Sequence, residues 1–176
     1  MTDRTRHILN AGAAIWGIAG LSGVLAFAIY RLGRILLLAV AEDWYFWHWI
    51  TLIANLLFMA YAEGYRGFQQ RFSPRSAARV FYLYQHGGLI KGLLAPLFCA
   101  GYFGASRRVL LAVWVGTGAI IVFILLVQQV EQPWRGIIDG GVVVGLAWGL
   151  LSLWVILLRT FLAGHYQESP DVPSHP

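Results

Sequence analysis

Charge is what this sequence has least of. Aspartate, glutamate, lysine and arginine make up 12% of its 176 residues, about half the share found in soluble domains. So few charges cannot cover a water-facing surface at this length, which excludes an ordinary soluble globular fold. Cysteine is as scarce. The single Cys99 excludes an intramolecular disulfide and a thiolate metal cluster within one chain. There is no His-Glu-x-x-His, no serine elbow, no phosphate loop ending in Lys-Ser or Lys-Thr, and no acidic cluster with metal spacing. None of the five histidines lies four residues from another on an apolar run, so a membrane haem lacks paired axial ligands. No catalytic residue, metal or cofactor is expected.

Apolar residues are abundant, at 59% of the chain. A helix needs about 20 of them in a row to cross a ~30 Å hydrocarbon core. Four runs qualify, at about residues 9–30, 44–62, 109–130 and 137–158. The expected fold is an all-α integral membrane protein, with residues 1–163 forming one transmembrane helical bundle and residues 164–176 a disordered polar tail. The first run lacks a small-residue cleavage site and reads as a retained helix. Ile35 to Ala41 is too short to cross and either lies at the interface or extends a neighbouring helix. Residues 81–105 are ambiguous. They mix apolar blocks with Gln85, His86, Gly87, Gly88, Lys91 and Pro96, and Leu89 to Ala105 is only just long enough to cross. Four transmembrane helices are preferred, with five as the alternative.

Topology follows from the arginines. With four spans and the N-terminus inside, Arg4, Arg6, Arg66, Arg71, Arg75, Arg79, Lys91, Arg107, Arg108 and Arg159 all face the cytoplasm. Arg31, Arg34 and Arg135 remain outside. This is the positive-inside pattern, and a fifth span would weaken it. Trp44, Trp47, Trp49 and Trp134 then form one outer aromatic belt. The expected location is a bacterial inner (plasma) membrane with both termini cytoplasmic.

Several groups of residues could carry function. Glu63 to Arg79 reads as a basic amphipathic helix on the membrane surface, restarted by Ser73-Pro74, a capping serine followed by a proline suited to the first turn, while in the four-span arrangement residues 81–105 are re-entrant or interfacial. Twelve of the thirteen basic residues are arginine, whose planar guanidinium can grip phosphate with two hydrogen bonds. Arg66, Arg71, Arg75, Arg79, Arg107 and Arg108 are therefore expected to contact anionic lipid or phosphate. Glu63 is expected to pair with Arg66, or to act with His86 and Lys91 in a polar intramembrane site. Arg135 and Asp139, four apart at the start of the last span, can pair, and with Glu131 form a possible outer site. Gly141, Gly145 and Gly149 make a smooth stripe for helix packing, either inside the bundle or at a homodimer seam.

The leading functional expectation is a non-enzymatic accessory or scaffold subunit with anionic lipid on its cytoplasmic face. Its expected partners are membrane lipids and either copies of itself or a larger membrane complex, with no nucleic acid. A small oligomeric transporter or channel is the alternative, because broken segments at membrane depth are where transporters place their sites. An intramembrane enzyme acting on a lipid or quinone is a third possibility.

Overall fold

A computed structural model describes residues 3–165 and 168–172. Among them there are helices and no strand. Helix α1 runs Asp3–Val40, α2 Phe46–Met59, a π-helical segment Ala60–Phe72, α3 Ser73–His86, α4 Leu89–Leu93, α5 Ala95–Ala100, α6 Arg107–Val127 and α7 Trp134–Ala163. Three of these, α1, α6 and α7, are long and apolar enough to cross a membrane. Ile35 to Val40 continues α1 rather than lying apart.

The second apolar run does not stop at Ala62. It passes through the π segment into α3, so helix is continuous from Phe46 to His86. The reason lies in how this helix meets α7. Asn55, Met59, Glu63 and Phe68 lie against the α7 glycines, and Ser73 bonds to Ser152. Those five residues are spaced four, four, five and five apart. An α-helix would rotate a five-residue repeat off the contact face, whereas π hydrogen bonding, from i to i+5, keeps it there. The Ser73 amide donates to the Phe68 carbonyl in this pattern. Pro74, which has no amide hydrogen to donate, coincides with the return to α-helix. The Ser73-Pro74 signal thus marks a change of helix type rather than a new surface helix.

The matching α7 positions are Ile137, Gly141, Gly145, Gly149 and Ser152. A methyl group on Gly141 would strike Asn55 and Met59, on Gly145 it would lie 2.9 Å from Glu63 Cβ, and on Gly149 it would strike Phe68. The glycine stripe is therefore filled from within the chain. Two polar bonds fix the register. Asn55 Nδ2 donates to the Ile137 carbonyl at 2.7 Å, and the hydroxyls of Ser73 and Ser152 lie 2.8 Å apart. Ser152 already donates to the Gly149 carbonyl, so its single hydrogen is used and Ser73 is the donor between them.

Helix α7 thus runs parallel to the long helix 46–86. Helix α1 is antiparallel to both, with Ala39 and Leu36 against Gly136 and Gly140 at one end and Asn10 bonded to the Gln85 carbonyl at the other. Trp44, Trp49, His48 and Trp134 gather at the first end. There Trp44 Nε1 donates to the Ala39 carbonyl, and His48 Nδ1 accepts from the Tyr45 amide, capping α2.

Residues 87–105 do not run the length of the bundle. Gly87 and Gly88 break the helix with positive φ angles of 61° and 124°, which glycine adopts without a Cβ penalty. Helices α4 and α5 then climb α1. Gly92 lies by Ala13, Ala95 and Cys99 by Gly17, and Pro96 by Gly20. From Ala13 to Gly20 that rise is about 10 Å at 1.5 Å per residue, a third of a ~30 Å hydrocarbon core. Gly101 turns the chain back to the start of α6, whose Val109 and Val113 lie beside it. In the tail, Val172 packs against the core formed by Leu83, Phe98, Leu153 and their neighbours, so that stretch is docked. Residues 166–167 and 173–176, also expected to be unstructured, lie outside the described residues.

Candidate functional site

The six arginines expected on one lipid-facing surface do not share one. Arg107 and Arg108 are exposed in the first turn of α6, Arg66 and Arg71 are exposed on the π segment, and Arg75 is half-buried. Arg79 is 2% exposed and cannot reach a headgroup. Its Nη1 donates to the carbonyls of Phe98 and Phe103 at 2.7 and 3.2 Å. Its Nη2 donates to those of Gly104 and Asp171 at 3.0 and 3.5 Å. The guanidinium fork thus gathers the turn after α5 and the tail. Arg75 and Arg79 are four positions apart, yet only the latter is buried, because α5 and the turn cover it.

Lys91 and His86 come together through Tyr82. Lys91 Nζ donates to the Tyr82 hydroxyl at 3.3 Å and lies 4.9 Å from that ring's centroid, a cation–π distance. The His86 ring stacks on Tyr82 with centroids 4.5 Å apart. Glu63 is not part of this group. It sits beside Gly145, well along the bundle. It also makes no ion pair with Arg66 among the described residues. Three residues along a π turn do not bring two side chains together as they do on an α-helix.

At the other end, Arg135 Nε and Asp139 Oδ2 approach to 3.8 Å. Asp139 is 5% exposed, and Oδ2 accepts no hydrogen bond among the described residues. The Glu131 side chain is exposed and takes no part; its carbonyl accepts from the Arg135 amide. His48 and His86 lie at opposite ends of the long helix. No group of three His, Cys, Asp or Glu residues able to hold a metal occurs among the described residues.

One feature was not singled out from sequence. A groove of about 670 Å3 opens between the π segment and α7, lined by Tyr65, Gln69, Gln70, Trp148, Val155 and Arg159 among others. Trp148 Nε1 donates to Gln69 Oε1 at 2.7 Å along it. The paired glutamines between Arg66 and Arg71 were the available signal. The polar groups of this molecule clamp backbone, stack on rings and join helices. Compared with known protein families, curated proteins and solved structures, the chain matches none.

Proposed function

We propose that this chain is a non-enzymatic multi-pass protein of a bacterial inner membrane, acting as an accessory or scaffold subunit. In this reading α1, the long helix 46–86, α6 and α7 each cross once, with residues 87–100 re-entrant. The alternating helix directions support four crossings, as does the placing of Arg4, Arg6, Arg107, Arg108 and Arg159 on one side. The cytoplasmic side is then the one holding the start of α1 and the end of α7. Arg107 and Arg108, level with the end of α7, would contact anionic headgroups there.

The observation that carries the scaffold reading is α6. Beyond Arg107 and Arg108 it carries no charged residue, its side chains are largely exposed, and it packs along no other helix of its own chain. Gly116 and Gly118 face open space, where another backbone could approach closely. Apart from the turn at Gly101 and Tyr102, this helix has its faces free for a partner protein as well as for lipid. Purified in mild detergent, the protein is expected to bring a second membrane protein with it, and Gly116→Leu with Gly118→Leu to release that protein. A chain that never captures another protein overturns the reading.

A transporter reading draws on the Lys91–Tyr82–His86 group beside the Gly87-Gly88 break. It requires solute flux in sealed vesicles that Lys91→Met abolishes.

A further inference from the structure

We propose that the protein forms a parallel two-fold homodimer through the exposed side of the π segment that borders its α7 contact, with Glu63 of each copy paired to Arg66 of the other. The inference rests on the reading of α7 as membrane-crossing, and not on a partner at α6.

Depth is the first argument. Glu63 lies against Gly145, Gly64 against Trp148 and Phe68 against Gly149. Between Gly140 and Leu158, α7 carries no charged residue, so Glu63 and Arg66 sit beside the middle of an apolar helix. Both are exposed. Among the described residues neither has an ion pair or a side-chain hydrogen bond. Ionisable groups at such depth face protein or a water-filled cavity, not lipid. Glu63 touches its own chain across the bundle at Cβ, beside Gly145, yet the residue stays exposed, as Arg66 does. Beyond its neighbours in the same long helix, the π segment packs along α7 alone. A methyl group built on Gly67 would meet only Glu63 and Ala62 of the same segment.

The pattern of charge identifies the occupant. One anion and one cation, three residues apart, flank the small residues Ala62 and Gly67. A two-fold axis along the helix brings each Glu63 to the opposite Arg66, making two ion pairs from one surface. This is the self-complementarity of an isologous dimer, and it resembles the flanking charge pairs of parallel coiled coils. Ala62 and Gly67 let the two backbones approach, and arginine can grip a carboxylate with two parallel bonds. A partner of net charge is not called for, since the two charges of the face sum to zero.

Charge exchange tests it. Two differently tagged copies are co-expressed and one is captured in mild detergent. The wild-type copies are expected to be captured together. Glu63→Arg alone sets arginine against Arg66, and Arg66→Glu alone sets glutamate against Glu63. In each, co-capture is expected to fall about tenfold or more, because like charges face each other. A Glu63→Arg copy mixed with an Arg66→Glu copy restores both pairs, and co-capture is expected to return. Failure of wild-type co-capture, survival of either single variant's co-capture, or no rescue in the mixture overturns the proposal. Capture of a different protein through Arg66 in place of the second copy does so as well. Should a charge-reversed chain be missing from the membrane, the Glu63→Gln, Arg66→Gln double variant decides: wild-type co-capture overturns the pairing and its loss supports it. Absence of the wild-type chain itself from washed membranes would instead overturn the membrane reading.

Discussion

Arg79 holds Phe98 by both its backbone and its ring. Nη1 donates to the Phe98 carbonyl at 2.7 Å, and the guanidinium carbon lies 4.8 Å from the ring centroid. The same group reaches the carbonyls of Phe103 and Gly104, so one side chain from α3 satisfies the turn joining α5 to α6. The Phe98 carbonyl keeps the Gly101 amide as a donor, but Arg79→Gln should leave the carbonyls of Phe103 and Gly104 without one, at ~1–3 kcal/mol each. The expected loss is on the order of 3 kcal/mol, read as a lower thermal midpoint in detergent. Lysine should rescue little, because one ammonium cannot serve carbonyls spread around a planar fork. Cys99, buried beside this turn, supplies a second measurement. It should resist maleimide in the wild type and react in Arg79→Gln. Unchanged melting and labelling would remove the clamp.

The glycine stripe gives a packing prediction. Gly145→Leu should push α7 from the π segment, with overpacking costing roughly 1–3 kcal/mol. Gly23 of α1 faces open space, with nothing within 4 Å of an added Cβ, so Gly23→Leu should melt like the wild type. Equal loss in both variants would show that helix composition, and not close approach, sets stability.

The apolar runs and the glycine stripe were legible in sequence because both follow simple rules of length and spacing. The fate of Glu63 to Arg79 was not. Its contact residues Glu63, Phe68 and Ser73 recur every five positions, and a search for helical periodicity near 3.6 places them on different faces. The burial of Arg79 was hidden for another reason. Its acceptors are backbone carbonyls, which every residue has and no sequence pattern marks. Lys91 and His86 could be singled out, but Tyr82, the ring that joins them, looks like any interfacial aromatic.

Topology can be checked with reporter fusions. Fusions at the N-terminus, at Gly88 and after Arg159 should read cytoplasmic, and one within Glu131 to Gly136 should read external. An external signal after Arg159 would mean an odd number of crossings, so residues 87–105 would have to cross fully.

Arg107 and Arg108 separate lipid contact from helix stability. Both lie in the first turn of α6, where the helix macrodipole disfavours positive charge by ~0.3–1 kcal/mol per group. They are exposed, so their position is not explained by packing or by the helix itself. Changing both to glutamine should therefore leave the thermal midpoint unchanged or slightly raised. If both meet headgroups of an anionic leaflet, the same change should cost on the order of 2 kcal/mol of lipid attachment, about 1 per group. Attraction at that surface is screened over ~8 Å at physiological salt, so the wild type should also lose lipid as salt rises. Changing the pair to lysine distinguishes two modes of contact. Simple charge attraction tolerates lysine, whereas a bidentate grip on phosphate does not. The measurement is phosphatidylglycerol retained through purification by the wild type, the glutamine pair and the lysine pair, each at low and high salt. Equal retention by all three would reject lipid contact at these positions. Their number on one side of the membrane would then be explained by topology alone.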